Sequence, residues 1–235
     1  MKKLHIILSL TSALFLTTAC TDLKEQVLDE TLGGSLSPEE VVNGAIAPVY
    51  ALLPNIFQHT TYFALQEIST DEAILPYRGG TDWGDNGIYL TLHAHNTTST
   101  DPNIRNTWNF LVQSISRSVT AITTLTPIKT PAAQLFLAEA RGMRAYYSML
   151  TLDLFGLVFV KEDPATTSKI IRGAEAVAYI ESELLAVEPL LQNKATVGSG
   201  RLTQGAVWGL LARLYLNAPA YRNIQSTAFD FKADD

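Results

Sequence analysis

The sequence predicts a mostly α-helical fold of paired helices, with a long insertion of irregular loop and short strands. Four segments after residue 104 carry apolar residues at helical spacing. Between about Tyr62 and Asp101 that spacing is absent, and proline and glycine are frequent. Hydrophobic residues make up 47% of the 235 residues and charged residues only 17%, so the chain can bury a large core.

The N-terminus has the layout of a bacterial secretion signal. Lys2 and Lys3 precede an apolar run that ends at small residues and at Cys20. The run is shorter than the about 20 apolar residues that a membrane-spanning helix needs. The pattern resembles a lipoprotein signal, so we predict a signal peptide over residues 1–19, a tether over 20–36 and acylation of Cys20. An ordinary cleaved signal with an incidental cysteine is the alternative.

The first helix is predicted from the residues SPEE at 37–40. Ser37 can accept hydrogen bonds from the free backbone N–H groups, and Pro38 suits the first helical position. Glu40 is placed to complete a capping box with Ser37. The apolar pattern then continues to about Leu53, where a proline interrupts it.

Four further helices are predicted at about residues 104–125, 131–155, 173–191 and 203–217. Their packing is expected to resemble tetratricopeptide hairpins, with small side chains where helices cross. The small residues expected at these crossings are Ala138, Gly142, Ala145, Ala206, Gly209 and Ala212. Two arginines of the second of these helices, Arg141 and Arg144, are expected to form solvated or interhelical ion pairs.

Charge and cysteine content exclude several classes of function. The net charge of −6 opposes binding to nucleic acid and to anionic lipid surfaces. Because Cys20 is the only cysteine, disulfides, thiol catalysis and thiolate metal sites are excluded. His93 and His95 would share one side of a strand, but without an evident third ligand we predict packing rather than zinc binding. We predict no catalytic residue, no cofactor and no metal.

Three segments in order carry a family resemblance. They are AEARGMRAYY at 138–147 leading to LDLFG at 152–156, AYIESELL at 178–185, and GRLTQGA at 200–206 leading into LLARLYLNA at 210–218. Behind a lipoprotein-like signal, these segments resemble the SusD-like (RagB/SusD) outer-membrane lipoproteins that bind nutrients and glycans. Residues 37–235 are similar to the N-terminal helical domain of that family, and we expect the chain to be truncated at its C-terminus relative to it.

The resemblance implies a function without catalysis. It implies that the protein binds an oligosaccharide at the outer membrane, facing the cell exterior, and delivers it to a SusC-like TonB-dependent transporter. The lipid anchor on Cys20 would hold it to the membrane. The alternative is a structural lipoprotein that packs on the transporter without binding sugar itself.

The resemblance also implies which residues line the ligand. The segment from 69 to 87 resembles the ligand-lining loop of the family. Tyr77 and Trp83 are the expected stacking platforms, because aromatic rings pack on the apolar faces of sugars. The expected hydrogen-bonding partners are Arg78, Asp82, Asp85 and Asn86. The alternative is that Trp83 is a buried anchor and that nearby acidic residues, Asp71 and Glu72, brace the loop.

Overall fold

The computed structural model describes residues 36–79, 87–196 and 200–224. The described residues from Ser37 onward belong to one compact unit. The described α-helices are α1 (Pro38–Tyr50), α2 (Tyr62–Glu67), α3 (Ile88–His93), α4 (Pro102–Leu125), α5 (Pro131–Phe155), α6 (Gly173–Val187) and α7 (Gln204–Arg222). The other described elements are two 3₁₀ turns (Leu53–Phe57 and Glu188–Leu190) and the strands β1 (Val158–Val160) and β2 (Lys169–Ile171).

The long helices begin where the sequence provides caps. The Ser37 hydroxyl accepts from the Glu40 backbone N–H at 3.2 Å, and Glu40 accepts from the Ser37 N–H at 2.7 Å, which completes the predicted capping box. The Asp101 carboxylate accepts from the first backbone N–H groups of α4, and the Thr130 hydroxyl does the same for α5. Gly156, at a φ of 66°, ends α5 in the left-handed conformation that favours glycine.

Helix α5 lies at the centre of the helical body, which we define as α1 and α4–α7. It contacts all four of the other helices in this body. Its fully buried side chains include Tyr147, Met149, Leu150 and Leu152. Helices α4 and α5 form one extensive pair, and α6 and α7 form another. The predicted helical-hairpin fold class is therefore confirmed.

The strand pair lies outside the predicted insertion. β1 and β2 are antiparallel, with Val158 opposite Ile171 and Val160 opposite Lys169. Phe159 of β1 meets the half-buried Trp108 of α4 edge-on, with ring centroids 5.4 Å apart. This small sheet therefore covers one end of the α4–α5 pair, a role that the sequence pattern did not indicate.

The described part of the insertion contains helices where short strands were expected. α2 and α3 have six residues each, which is under two helical turns and too short to show a helical period in the sequence. His93 and His95 therefore do not share a strand face. His93 is the last residue of α3, and His95 has a φ of 53°.

Only half of the predicted small residues lie at helix crossings. Ala138, Gly142 and Ala145 of α5 are buried, and a Cβ added to Gly142 would overlap Leu202 and lie 3.3 Å from Val187. The prediction is wrong for α7, whose Ala206, Gly209 and Ala212 are exposed. α7 is apolar on both faces, since Trp208 and Leu216 are also exposed, so composition could not indicate which face packs inward.

By length and composition alone, one stretch of the described residues, Pro38–Glu67, could span a membrane. The stretch is not one continuous helix, because the 3₁₀ turn at Leu53–Phe57 separates α1 from α2. Val42, Ile46 and Val49 of α1 are buried in the main core. We therefore interpret the stretch as part of the helical body.

Candidate ligand-binding site

The insertion folds around a small core of its own. We call residues 62–79 and 87–93 the α2–α3 lobe. Its described core consists of Ala64, Tyr89 and Leu92, all buried, with four partly buried apolar neighbours: Leu65, Ile68, Leu75 and Ile88. The Tyr89 hydroxyl donates to the backbone carbonyl of His59 at 3.2 Å. Packed side chains therefore support both described ends of the predicted ligand-lining loop, residues 69–87.

Tyr77 lies beside the start of α3. A Cβ added to Gly87 would be 3.7 Å from Tyr77 Cβ and Cγ, so the Gly87 backbone flanks the tyrosine. Gly87 precedes α3 with a φ of 82°, a conformation that L side chains rarely adopt. The Tyr77 side chain is 44% exposed. One part of an aromatic ring is thus supported by the protein while another part is open to a ligand.

Asp153 of α5 holds the lobe to the helical body. Its Oδ2 accepts from the Tyr62 hydroxyl at 2.6 Å and from Gln66 Nε2 at 3.1 Å, and both donors belong to α2. Arg213 and Tyr221 of α7 donate to the same carboxylate at 3.2 and 2.8 Å. Burial and the hydrogen bond to Asp153 raise the pKa of Tyr62, so its hydroxyl remains a donor.

A second link joins α3 to α4. Thr91 donates to Asp101 Oδ2 at 3.3 Å, and Asp101 Oδ1 caps α4 through the Asn103 N–H at 2.9 Å. Asp101 is buried, which makes this cap part of the packed interface. The lobe is therefore connected through polar side chains to both α4 and α5.

Two further carboxylates bind arginines inside the helical body. Glu139 of α5 is 1% exposed, and it accepts from two nitrogens of Arg201 and from the Tyr50 hydroxyl at 2.7 Å. Glu183 of α6 accepts from Arg141 at 2.8 Å and from Arg144 at 2.8 Å, so the expected interhelical ion pairs of both arginines are present.

The ionisation of Glu183 follows from these contacts. Burial by itself would raise the pKa of Glu183, but the hydrogen bonds from Arg141 and Arg144 more than offset it. The net result is a lowered pKa, so the carboxylate stays charged between α5 and α6. Burial also raises the pKa of the neighbouring Tyr179 to about 12.

Comparison with known proteins identifies the fold. No family model matches the chain. Over 85 residues it is 38% identical to the starch-binding protein SusD of Bacteroides thetaiotaomicron, which corresponds to 36% of this chain and 15% of that protein. It also matches the structure of a laminarin-binding SusD-like protein at a TM-score of 0.62 and 19% identity, over 82% of this chain and 44% of that one. The chain therefore has the SusD-like fold.

Other SusD-like structures match to a similar extent. Surface glycan-binding protein A from Bacteroides uniformis matches at a TM-score of 0.61 and 19% identity, over 83% of this chain and 48% of that one. A structure with a xylogluco-oligosaccharide matches at a TM-score of 0.61 and 22% identity, over 77% of this chain and 35% of that one. The chain therefore spans less than half the length of these solved proteins.

Two of the predicted site residues lie on the described part of the chain. Tyr77 and Arg78 are adjacent and exposed in the loop of the lobe. The other four predicted site residues, Asp82, Trp83, Asp85 and Asn86, lie outside the described residues, and so do Cys20 and the predicted signal peptide. Their assignments stay predictions.

Hydroxyl groups brace the described part of the loop. Ser69 donates to the Leu65 carbonyl at 2.6 Å, and Thr70 donates to the Glu67 carbonyl at 2.7 Å. Thr70 also accepts from the backbone N–H of Glu72 at 3.2 Å. The sequence offered a signal for this bracing, because Ser and Thr side chains commonly form such turns. The prediction had instead named the acidic residues Asp71 and Glu72 as the ones that brace the loop.

Sequence reasoning missed the carboxylates that link the helices of the body. Asp153 lies in the LDLFG segment and Glu139 in AEARG, but their partners are far away in the sequence, as Tyr62 and Arg201 show. Among the residues that the structure describes, no group of three or more His, Asp or Glu side chains could hold a metal ion.

Proposed function

We propose that this chain binds a glycan without catalysis, at the cell surface, and passes it to a SusC-like TonB-dependent transporter. The observation that carries the proposal is the half-exposed Tyr77 on a lobe that has its own core. A binding surface needs a supported aromatic face that is open to the ligand, and Tyr77 meets both conditions. The starch-binding and laminarin-binding names of SusD-like relatives agree with this ligand class.

The proposed contacts follow from the chemistry of sugars. The apolar face of a pyranose would stack on Tyr77 and on Trp83, and each such aromatic contact is worth roughly 0.5–1.5 kcal/mol. Arg78 and the polar residues Asp82, Asp85 and Asn86 would pair with the ring hydroxyls. Loss of one stacking ring should therefore weaken binding by about 2- to 10-fold, since 1.4 kcal/mol corresponds to a factor of ten.

The proposed location depends on the N-terminal sequence. Acylation of Cys20 would place the protein on the outer membrane, facing outward, where it could meet both a polysaccharide and the transporter. Labelling of growing cells with radioactive palmitate tests this step. We expect label on the wild-type chain and none on Cys20→Ala; label on both would contradict acylation at Cys20.

Affinity electrophoresis tests sugar binding directly. The full chain is run through native gels that contain starch, laminarin or xyloglucan. We expect at least one polymer to retard the wild type, and both Tyr77→Ala and Trp83→Ala to reduce the retardation. Trp208→Ala is the matched control, because it removes an exposed tryptophan from α7, outside the lobe.

Two outcomes would contradict the proposal. Equal retardation of all four proteins would exclude the lobe as the binding surface. No retardation of the wild type by any polymer would favour the structural alternative, a scaffold on the transporter. The exposed apolar side chains of α7, Trp208 and Leu216, are the observation that favours that alternative.

A further inference from the structure

A polar groove of about 380 Å³ lies between the 3₁₀ turn after α1 and the exposed face of α4. The described lining has five side-chain amides, two threonines and one phenylalanine, and none of these residues is charged. The amides belong to Asn55, Gln58, Asn106, Asn109 and Gln113. We call this feature the amide groove. Tyr77, Arg78 and the other described residues of their loop do not line it.

One wall of the amide groove is a face of α4. Asn106, Asn109 and Gln113 are spaced at i, i+3 and i+7, which places them on one side of the helix. Within the described part of the chain, their side-chain amides have no hydrogen-bond partner, and all three residues are exposed. Each amide therefore has an N–H donor and a carbonyl acceptor available to a ligand.

The opposite wall is held in place by its own hydrogen bonds. Gln58 Nε2 donates to Asn55 Oδ1 at 3.1 Å, which leaves the Asn55 NH₂ group and the Gln58 carbonyl oxygen for a ligand. The buried Thr61 hydroxyl donates to the backbone carbonyls of both residues. A wall that is ordered before binding loses little entropy when a ligand arrives.

The chemistry of the lining selects one class of ligand. A side-chain amide donates and accepts at once, which matches neighbouring hydroxyl groups that do the same. No described residue of the lining carries a charge that could neutralise an ionic ligand, and desolvation of an unpaired charge is unfavourable. The lining therefore favours a neutral ligand with many hydroxyl groups.

The amide groove and the α2–α3 lobe share a segment of chain. Thr60 and Thr61 line the groove, and the preceding residue, His59, accepts the hydrogen bond from Tyr89 in the lobe core. Order in the lobe core therefore also orders one wall of the groove.

We propose that the amide groove is a second binding site for a neutral oligosaccharide. The inference rests on the proposed function for the identity of the ligand, and on the groove geometry for its place. The Asn and Gln amides bind the hydroxyl groups, and Phe110, at the base of the α4 wall, provides an apolar edge.

Solution NMR with the full ¹⁵N-labelled chain tests the proposal. Neutral oligosaccharides released from starch, laminarin and xyloglucan are the probes. We expect the side-chain NH₂ signals of Asn106, Asn109 and Gln113 to shift saturably with at least one of them. The NH₂ signal of Gln192, an exposed amide outside the groove, is the internal control and should not move.

Two variants sharpen the test. Asn109→Leu keeps the approximate shape of the side chain and removes its donor and acceptor, so we expect affinity at the groove to fall about three- to tenfold. Gln192→Leu is the matched control and should bind as the wild type does.

The outcomes separate this inference from the proposed function. Saturable chemical-shift changes of the Tyr77 backbone amide, without changes of the side-chain amide signals of the groove, would overturn the second site. They would leave the proposed function intact. Shifts of the groove amides that survive Tyr77→Ala would support the second site independently of the lobe. An absence of saturable shifts anywhere would overturn both.

Discussion

The helical body and the α2–α3 lobe are stabilised to different extents. The body has one large apolar cluster that draws on α1 and α4–α7 and also includes Tyr62 of α2, together with arginine–carboxylate contacts. The described core of the lobe is three buried side chains, Ala64, Tyr89 and Leu92. We infer that the body determines global stability, and that the lobe can open locally while the body remains folded. The proposed glycan contacts belong to the less stable of the two regions.

Leucine substitutions in the body and in the lobe test this difference in stability, and they have the largest expected effect. Leu150 in the body is 1% exposed and Leu92 in the lobe 4%. Leu150→Ala should lower the free energy of unfolding by about 3–4 kcal/mol, through lost burial and the cavity that remains. Leu92→Ala should lower the global value by less than about 1.5 kcal/mol, because its cost is limited to the stability of the lobe.

Urea unfolding measures the global effect of each leucine substitution, and amide hydrogen exchange measures the local one. In Leu92→Ala, the amides of α3 should exchange faster while those of α5 keep wild-type protection. Equal losses of global stability in the two variants would mean that the lobe and the body unfold together, and the distinction between them would fail.

The ion pair between α5 and α6 gives the next largest expected effect. Glu183→Gln leaves Arg144, whose side chain is 4% exposed, with the backbone carbonyl of Lys161 at 3.2 Å and the more distant carboxylate of Glu162 at 3.7 Å. We expect a loss of about 3 kcal/mol, because a buried charge loses its partner. Glu175→Gln is the matched control, since its pair with Lys169 is 61–67% exposed, and it should cost less than about 1 kcal/mol. Similar urea midpoints for the two variants would contradict the expectation that a buried ion pair is more costly to break than an exposed one.

Two glycines of the body test how closely its helices pack. Gly142→Ala would place a methyl group against Leu202 and Val187, and we expect a net loss of about 1 kcal/mol after the gain in helix propensity. Gly209→Ala meets no described atom within 4 Å and should gain about 0.5–1 kcal/mol. Thermal unfolding of both variants gives the comparison. A gain in both would show that the crossing at Gly142 has room for a side chain.

The pH dependence of stability is the smallest of the expected effects. The pKa of Glu183 in the folded protein is lowered from its ordinary 4.5, so its ion pairs stabilise the body above that value. That stabilisation should decline as the pH falls from about 5 through 4.5 and towards the lowered pKa. Urea midpoints between pH 7 and pH 3 should fall less steeply for Glu183→Gln than for the wild type. Glu175→Gln should retain the wild-type slope.

Local signals in the sequence predicted local structure well. The capping residues at 37–40 gave the start of α1, and the predicted helix at 131–155 coincides with α5. Such features depend on residues within a few positions of each other, and a single sequence contains all of that information. The two six-residue helices of the lobe were missed because fewer than two turns leave no visible period.

The candidate site was predictable only in part. The resemblance to the ligand-lining loop indicated Tyr77 and Arg78, which are adjacent and exposed. The amide groove could not be predicted, because its two walls come from segments about 50 residues apart that no local pattern connects. A polar face on one helix is ordinary by itself, and it becomes a groove only when a second polar wall lies opposite.

The sequence by itself determined approximately where the long helices begin, where α4 and α5 end, which family the chain resembles and that its core is large. Only the tertiary structure decided which face of α7 packs inward and which carboxylates meet arginines. It also decided that the insertion has its own core. The physical reason is distance along the chain: caps and helical periods act between neighbours, whereas Glu139 and Arg201 meet across 62 residues.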